Sequence, residues 1–153
     1  MRAVIQRVSQ AEVRVGGKTV GKCGKGLLVL VAAHRNDGLL QAQKMADKVF
    51  GLRVFNDVEG KINLSLKDLL ASESVGVLAV SNFTVYGETT KNRRPSFIES
   101  APFELGRERF DQFVDALRTM GCPVETGEFG AEMDVELVND GPVTVIVDVV
   151  PES

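Results

Sequence analysis

The sequence predicts an α+β fold: a strand-rich single domain whose antiparallel, barrel-like sheet is covered by two main helices. Three observations carry that expectation. The first third alternates apolar and polar residues, two later stretches repeat apolar residues every three or four positions, and the tail returns to β-branched alternation. A length of 153 residues suits one domain, so residues 1–153 are read as one unit.

Each element has a local reason. Ala3–Val8 and Ala11–Val15 alternate as half-buried strands do, and Gly16-Gly17 then marks a tight hairpin into Lys18–Gly21. Gly24 and Gly26 lead into Leu27–Ala33, an apolar run that reads as a buried strand. Asn36-Asp37 offers a cap for a first helix, whose stripe is Ala42, Met45, Ala46, Val49 and Phe50, with Gly51 as its stop. Leu52–Phe55 resumes as strand, Asp57–Gly60 is a turn, and Val75–Val80 is a second buried strand. Residues 87–95 are polar, basic and aperiodic, which predicts a loop. Ser100-Ala-Pro102 opens a second helix with Pro102 in its first turn. Its stripe is Phe110, Phe113, Val114, Leu117 and Met120, and it ends at Gly121 and Pro123. Two tail strands, Met133–Leu137 and Val143–Val150, flank the turn sequence Asn139-Asp-Gly-Pro142.

Composition narrows the function classes. Hydrophobic residues make up 44% and charged residues 25%, ordinary values for a globular chain. The longest apolar run, Gly26–Ala33, is eight residues, far below the roughly 18 that a bilayer span needs. The start turns polar too soon for a signal peptide, so a cytoplasmic protein without a membrane partner is expected. Cys23 and Cys122 show no metal or disulfide spacing, and a single histidine argues against a histidine-built metal site. No metal or cofactor is expected. Charge is asymmetric: residues 1–98 hold 15 Lys+Arg against 8 Asp+Glu, and residues 99–153 hold 3 against 13. That separation hints at a polyanionic partner, although folding can interleave the two halves.

Ordinary catalytic constellations are poor. A triad would have to join His34 to Ser81 or Thr84, and no phosphate-loop sequence occurs. Cys122 follows a helix end, where the dipole gives a thiolate nothing. Two segments are more suggestive. Ser81-Asn-Phe-Thr84 places hydroxyls and an amide where a buried strand ends, which can either offer donors to an oxyanion or satisfy the strand's own backbone. Gly141-Pro142 is either a plain turn or a place where another chain or ligand approaches closely.

Together these segments resemble the D-aminoacyl-tRNA deacylases. The resemblance rests on Met1-Arg-Ala-Val-Ile-Gln-Arg-Val8, Gly60-Lys-Ile-Asn-Leu64, Ser81-Asn-Phe-Thr-Val-Tyr86, Arg94-Pro-Ser-Phe97, Gly127-Glu-Phe-Gly-Ala-Glu-Met133 and Asn139-Asp-Gly-Pro-Val-Thr144, in order along the chain. It implies a homodimer that hydrolyses the ester between a D-amino acid, or glycine, and tRNA. The family's Ser-Gln-x-Thr motif corresponds to Ser81, Asn82, Phe83 and Thr84, with asparagine in the glutamine position. Its Gly-Pro-x-Thr motif is intact at Gly141-Pro142-Val143-Thr144.

Carried over, the family's cis Gly141-Pro142 would enter the other protomer's pocket and read chirality, and Arg7 would brace that loop. Phe129, Ala131 and Met133 would line the adenosine and aminoacyl site. The Phe83 and Thr84 N–H groups would hold the oxyanion, with Ser81 and Asn82 positioning them and the tRNA's own 2′-hydroxyl and water carrying protons. Thr84 as a covalent nucleophile is the alternative mechanism. Lys91, Arg93 and Arg94 would contact tRNA. A competing reading from another class is a non-catalytic tRNA-binding or dimeric interaction module on the same fold.

Overall fold

The structure is a computed structural model that describes residues 1–151. In chain order it comprises β1 (Arg2–Val15), β2 (Lys18–Cys23), β3 (Gly26–Ala32), α1 (Leu39–Gly51), β4 (Phe55–Asn56), β5 (Ile62–Leu64), α2 (Leu66–Leu69), β6 (Gly76–Ser81), a 3-10 turn (Phe83–Tyr86), α3 (Phe103–Thr119), β7 (Val124–Thr126) and β8 (Asp134–Asp148). The main sheet runs β2-β1-β3-β6-β7, and β8 pairs with the other edge of β1. It curls until Gly21 of β2 lies against β7, where a Cβ would come within 2.3 Å of the Thr126 carbonyl oxygen. Glycine permits that near-closure.

The architecture is the expected α+β domain, but the sheet is mixed where a wholly antiparallel one was expected. β1 pairs antiparallel with β2, β3 and β8, whereas β3–β6 and β6–β7 are parallel. The physical reason is burial on both faces and the length of the connection. β3 and β6 are apolar on both faces, as strands covered from two sides must be, and parallel neighbours need a long crossover. Here the crossover is residues 33–75, which include α1. One face of these strands packs Leu27, Val29, Val77 and Ala79 under Met45 and Val49 of α1 and Phe113 and Leu117 of α3. The other face packs Leu28, Leu78 and Val80 against Val8, Ala11 and Val13 of β1.

Several local expectations shift. The two N-terminal strand segments form one long β1. Strand β4 is confined to Phe55–Asn56, and α2 was not foreseen. Pro102 sits one residue outside α3, as its N-cap. Asp37 does not cap α1. Gly38 occupies that position, and its N–H donates to Gln41 Oε1 at 2.7 Å. Asp37 is instead buried, where its Oδ2 lies 2.8 Å from the Met1 ammonium and accepts the His34 N–H. An unpaired buried ammonium is costly, so the carboxylate is drawn to it and away from the helix end.

The tail is not a hairpin. Both of its strand segments belong to β8 and pair with β1. Between the partners Val8↔Asn139 and Gln6↔Thr144, β1 advances two residues while β8 advances five. The excess leaves the ladder as an exposed bulge, Asp140-Gly141-Pro142. Within it the Gly141-Pro142 peptide bond is cis, and Gly141 has φ +149°, a conformation that side chains rarely adopt.

Candidate active site

Strand β6 ends at Ser81, and the Asn82 N–H still donates to the Val31 carbonyl at 3.0 Å, so the chain leaves the sheet at a defined point. Asn82 is extended (φ −149°, ψ 90°) and caps the 3-10 turn that follows. Its Oδ1 accepts from the Thr84 N–H at 3.2 Å and from the Thr84 hydroxyl. The Asn82 carbonyl accepts the Val85 N–H at 3.2 Å, and the Thr84 carbonyl accepts the Gly87 N–H at 2.9 Å. A short amide at position 82 therefore curls back onto its own backbone, as asparagine does at caps.

One expectation is corrected by this arrangement. The Thr84 N–H is occupied by Asn82, so it is not a free donor. The Phe83 N–H has no hydrogen-bond partner among the described residues. Phe83 itself is 59% exposed and meets Phe97 edge-to-face at 5.2 Å. Ser100 Oγ donates to the Phe83 carbonyl at 2.8 Å.

Beside this turn lies a cavity of about 780 Å³. Ser81, Asn82 and Phe83 form part of its wall, and Phe129, Ala131 and Met133 form another part. The sequence therefore places six candidate residues, distant along the chain, around one space. Phe103 and Phe110 of α3 also line it, and each packs on Phe129, at ring distances of 5.1 and 6.0 Å. The sequence reading gave Phe110 to the core stripe and did not single out Phe103. Helical periodicity shows that a stripe is buried, not that one end of it opens onto a cavity.

Other candidates stand apart. Gly141 and Pro142 do not line the chain's own cavity, because the bulge lies on the outer edge strand. Arg7 is buried and holds the base of that bulge. Its Nε donates to the Asp140 carbonyl at 2.8 Å, and one terminal nitrogen donates to the Val54 carbonyl at 2.9 Å and Asn56 Oδ1 at 3.1 Å. Lys91, Arg93 and Arg94 lie in the exposed segment that follows the 3-10 turn, and they form no ion pair among the described residues.

His34 cannot serve Ser81 in this arrangement. Its Nε2 lies 2.6 Å from Glu99 Oε2, and its Nδ1 accepts the Asn36 N–H at 3.0 Å, so both ring nitrogens are engaged away from the turn. Burial, with Asp37 and Asp148 nearby, holds the Tyr86 phenol well above its ordinary range, so it stays protonated. Burial pushes the thiols of Cys23 and Cys122 up to about 11, which makes both inert near neutral pH. No charged acid or base from this set lines the cavity beside Phe83. What the site offers is an apolar enclosure and main-chain polarity.

The family described as D-Tyr-tRNA(Tyr) deacylase matches residues 4–148. The chain is 50% identical to a protein of Thermosipho africanus named D-aminoacyl-tRNA deacylase, and 51% identical to one of the same name from Thermotoga petrophila; each match covers 97% of both chains. Among solved structures, one described as c-Myc DNA Unwinding Element Binding Protein superposes with a TM-score of 0.89 at 34% identity, covering 97% of this chain and 99% of that one. Another, described as a probable eukaryotic D-amino acid tRNA deacylase, shares the fold with a TM-score of 0.81 at 18% identity, covering 97% and 98%. The chain belongs to the D-Tyr-tRNA(Tyr) deacylase family.

Proposed function

We propose that this protein hydrolyses the ester of D-aminoacyl-tRNA, and of mischarged glycyl-tRNA, and spares the L-aminoacyl ester. The observation that carries the chemistry is the unpartnered N–H of Phe83 in the wall of a largely apolar cavity, among whose described lining residues there is no Asp, Glu, His, Lys or Arg. An aminoacyl ester is already activated and has a vicinal ribose hydroxyl. It needs positioning and stabilisation of the tetrahedral oxyanion more than a protein acid or base. Water attacks the ester carbonyl carbon, the carbonyl oxygen takes the negative charge and is held by the Phe83 N–H, and the bond to the ribose oxygen breaks as that oxygen gains a proton. The 2′-hydroxyl and water carry the protons. Thr84 is disfavoured as a nucleophile because its hydroxyl donates to an amide oxygen, which is not a base.

Chirality is assigned to Gly141 and Pro142. Their bulge faces outward from its own chain, which supports a homodimer in which each copy's bulge enters the other's cavity. If the bulge carbonyls hold the substrate ammonium, an L side chain strikes main chain, whereas a D side chain points to solvent. A clash discriminates more strongly than the roughly 1–3 kcal/mol available from a missing methylene. Glycine, lacking a side chain, passes the same filter. Arg7 keeps the bulge in place, and Phe129, Ala131 and Met133 enclose the aminoacyl-adenosine end. Lys91, Arg93 and Arg94 meet tRNA phosphates in the cytoplasm without reading sequence.

The non-catalytic binding alternative is not favoured, since the relatives near 50% identity carry the deacylase name. Incubation with D-Tyr-, L-Tyr- and glycyl-tRNA tests the proposal. Loss of the D and glycyl esters with the L ester intact is expected. Equal hydrolysis of D and L esters, or hydrolysis of none, overturns it.

A further inference from the structure

We infer that Ser100 is a positioning residue for the oxyanion-binding turn, an inference that rests on the deacylase reading above. The Phe83 N–H lies in the Asn82–Phe83 peptide plane, and the rest of the turn fixes the direction of that plane through Val85. This first plane is held by the Asn82 carbonyl, which accepts the Val85 N–H at 3.2 Å. The second, between Phe83 and Thr84, is gripped from both ends. Ser100 Oγ donates to its carbonyl at 2.8 Å, and its N–H donates to Asn82 Oδ1 at 3.2 Å. Without the Ser100 hydroxyl, this plane keeps only the longer of its two side-chain contacts and can rock about the Phe83 Cα. Rocking would displace Val85, loosen its bond to the Asn82 carbonyl and so re-aim the unpartnered Phe83 N–H.

Ser100 is itself firmly mounted. It bridges to His34 just beyond β3. Flanking it, the Ala101 N–H donates to the Ala33 carbonyl at 2.9 Å, and the Arg35 N–H donates to the Glu99 carbonyl at 3.0 Å. The Ser100 N–H donates to the Phe97 carbonyl at 3.1 Å, and the Phe97 ring packs on Phe83. The hydroxyl therefore transmits the rigidity of the sheet end to a turn that would otherwise depend on its own short hydrogen bonds. A hydroxyl is required because a donor at position 100 ties the Phe83 carbonyl to the segment beside the sheet end.

The test uses Ser100→Ala, Ser100→Thr and Ser100→Cys in the full chain, with steady-state and single-turnover deacylation of D-Tyr-tRNA. Loss of one hydrogen bond of ordinary strength is expected to lower kcat about fivefold in the alanine variant. KM should stay unchanged, because binding by the cavity and the basic loop is untouched. Threonine keeps the donor and is expected to restore kcat. Cysteine keeps the volume but donates weakly, so it is expected to behave like alanine; should alanine fail to fold, cysteine carries the same comparison. In a Phe83→Pro background, which has no N–H at position 83, Ser100→Ala is expected to cost nothing further. An alanine variant with wild-type kcat, a threonine variant no better than alanine, or an undiminished fivefold loss in the Phe83→Pro background overturns the inference. An inactive wild-type protein overturns the deacylase reading and this inference together, whereas an active one indifferent to Ser100 overturns this inference alone.

Discussion

The Arg7 Nε donates to the Asp140 carbonyl at 2.8 Å, which ties the middle of β1 to the residue that precedes the Gly141-Pro142 bulge. The same guanidinium reaches Val54 and Asn56, so one buried side chain fastens three separate chain segments. Removing it leaves the buried Val54 carbonyl unpaired, at about 1–3 kcal/mol, and takes the donor from the part-buried Asp140 carbonyl and Asn56 amide oxygen. Arg7→Ala is therefore expected to lower unfolding free energy by roughly 3 kcal/mol and to raise hydrolysis of L-Tyr-tRNA relative to D-Tyr-tRNA. Lysine lacks the fork and should not rescue either property. Denaturant melts and the D/L rate ratio check this, and a lysine variant equal to the parent contradicts it.

The Asn82 cap gives a second expectation. Asn82→Ala removes the acceptor for the Thr84 N–H, and loss of such a cap costs about 1 kcal/mol. The turn is expected to loosen, with kcat down roughly fivefold and tRNA affinity unchanged. Asn82→Gln, whose longer amide suits the cap less well, should change the rate by less than about tenfold in either direction. A larger gain with glutamine would show that the amide acts on substrate and not on the turn.

His34→Ala separates positioning from triad chemistry. The imidazole pairs with Glu99, a carboxylate that is about half exposed, so this pairing is worth no more than about 1 kcal/mol. Deacylation of D-Tyr-tRNA is expected to stay within about twofold of the parent, far from the roughly 10⁴-fold losses typical of a broken triad. A loss of that larger size would restore the triad.

Charge reversal of Lys91, Arg93 and Arg94 tests the loop. Glutamates there are expected to weaken binding of different tRNAs alike and to reduce the salt slope by roughly one per lost phosphate contact. A defect confined to one tRNA contradicts a role in phosphate contact.

The buried thiols give an alkaline prediction. Cys23 and Cys122 rise from 9.0 to about 11 on folding, because burial disfavours the thiolate. The folded chain thus holds protons that the unfolded chain releases above pH 9. Their contribution is full below pH 9 and is lost as pH rises toward 11. Denaturation curves across that window should show falling stability, and replacing both cysteines with alanine should flatten the fall. Deacylation should be indifferent to iodoacetamide at pH 8.

Much of this was legible in residue order, and the gaps have physical causes. The alternation of β1, the stripes of α1 and α3 and the double-glycine hairpin are local signals, and each became the element it implied. The parallel β3–β6 pairing depends on which end of the sheet a long crossover returns to, which no local pattern records. Asn139-Asp-Gly-Pro142 reads as a turn sequence, and that chemistry is the same whether the next strand reverses or continues, so the bulge within one strand was not legible. Asp37 was misread as a helix cap because its partner, the Met1 ammonium, lies at the far end of the chain segment and meets it only on folding. In the site, the Ser81–Thr84 segment was identified from its polar residues, but Ser100 carried no signal. Its role comes from a hydrogen bond across 17 positions.

The central claim is that one copy's turn and another copy's bulge make a single site. Two inactive variants test it directly: Phe83→Pro, which removes the oxyanion donor at a position where the first turn tolerates proline, and Gly141→Ala, which distorts the bulge. Each alone is expected to lose about a hundredfold or more in rate. Unfolded together and refolded as a mixture, half the dimers pair unlike chains, and each of those holds one site with both parts intact. Recovery of about a quarter of wild-type D-Tyr-tRNA deacylation is the expected result. Activity no higher than that of the separate variants would show that the turn and the bulge do not meet across two copies.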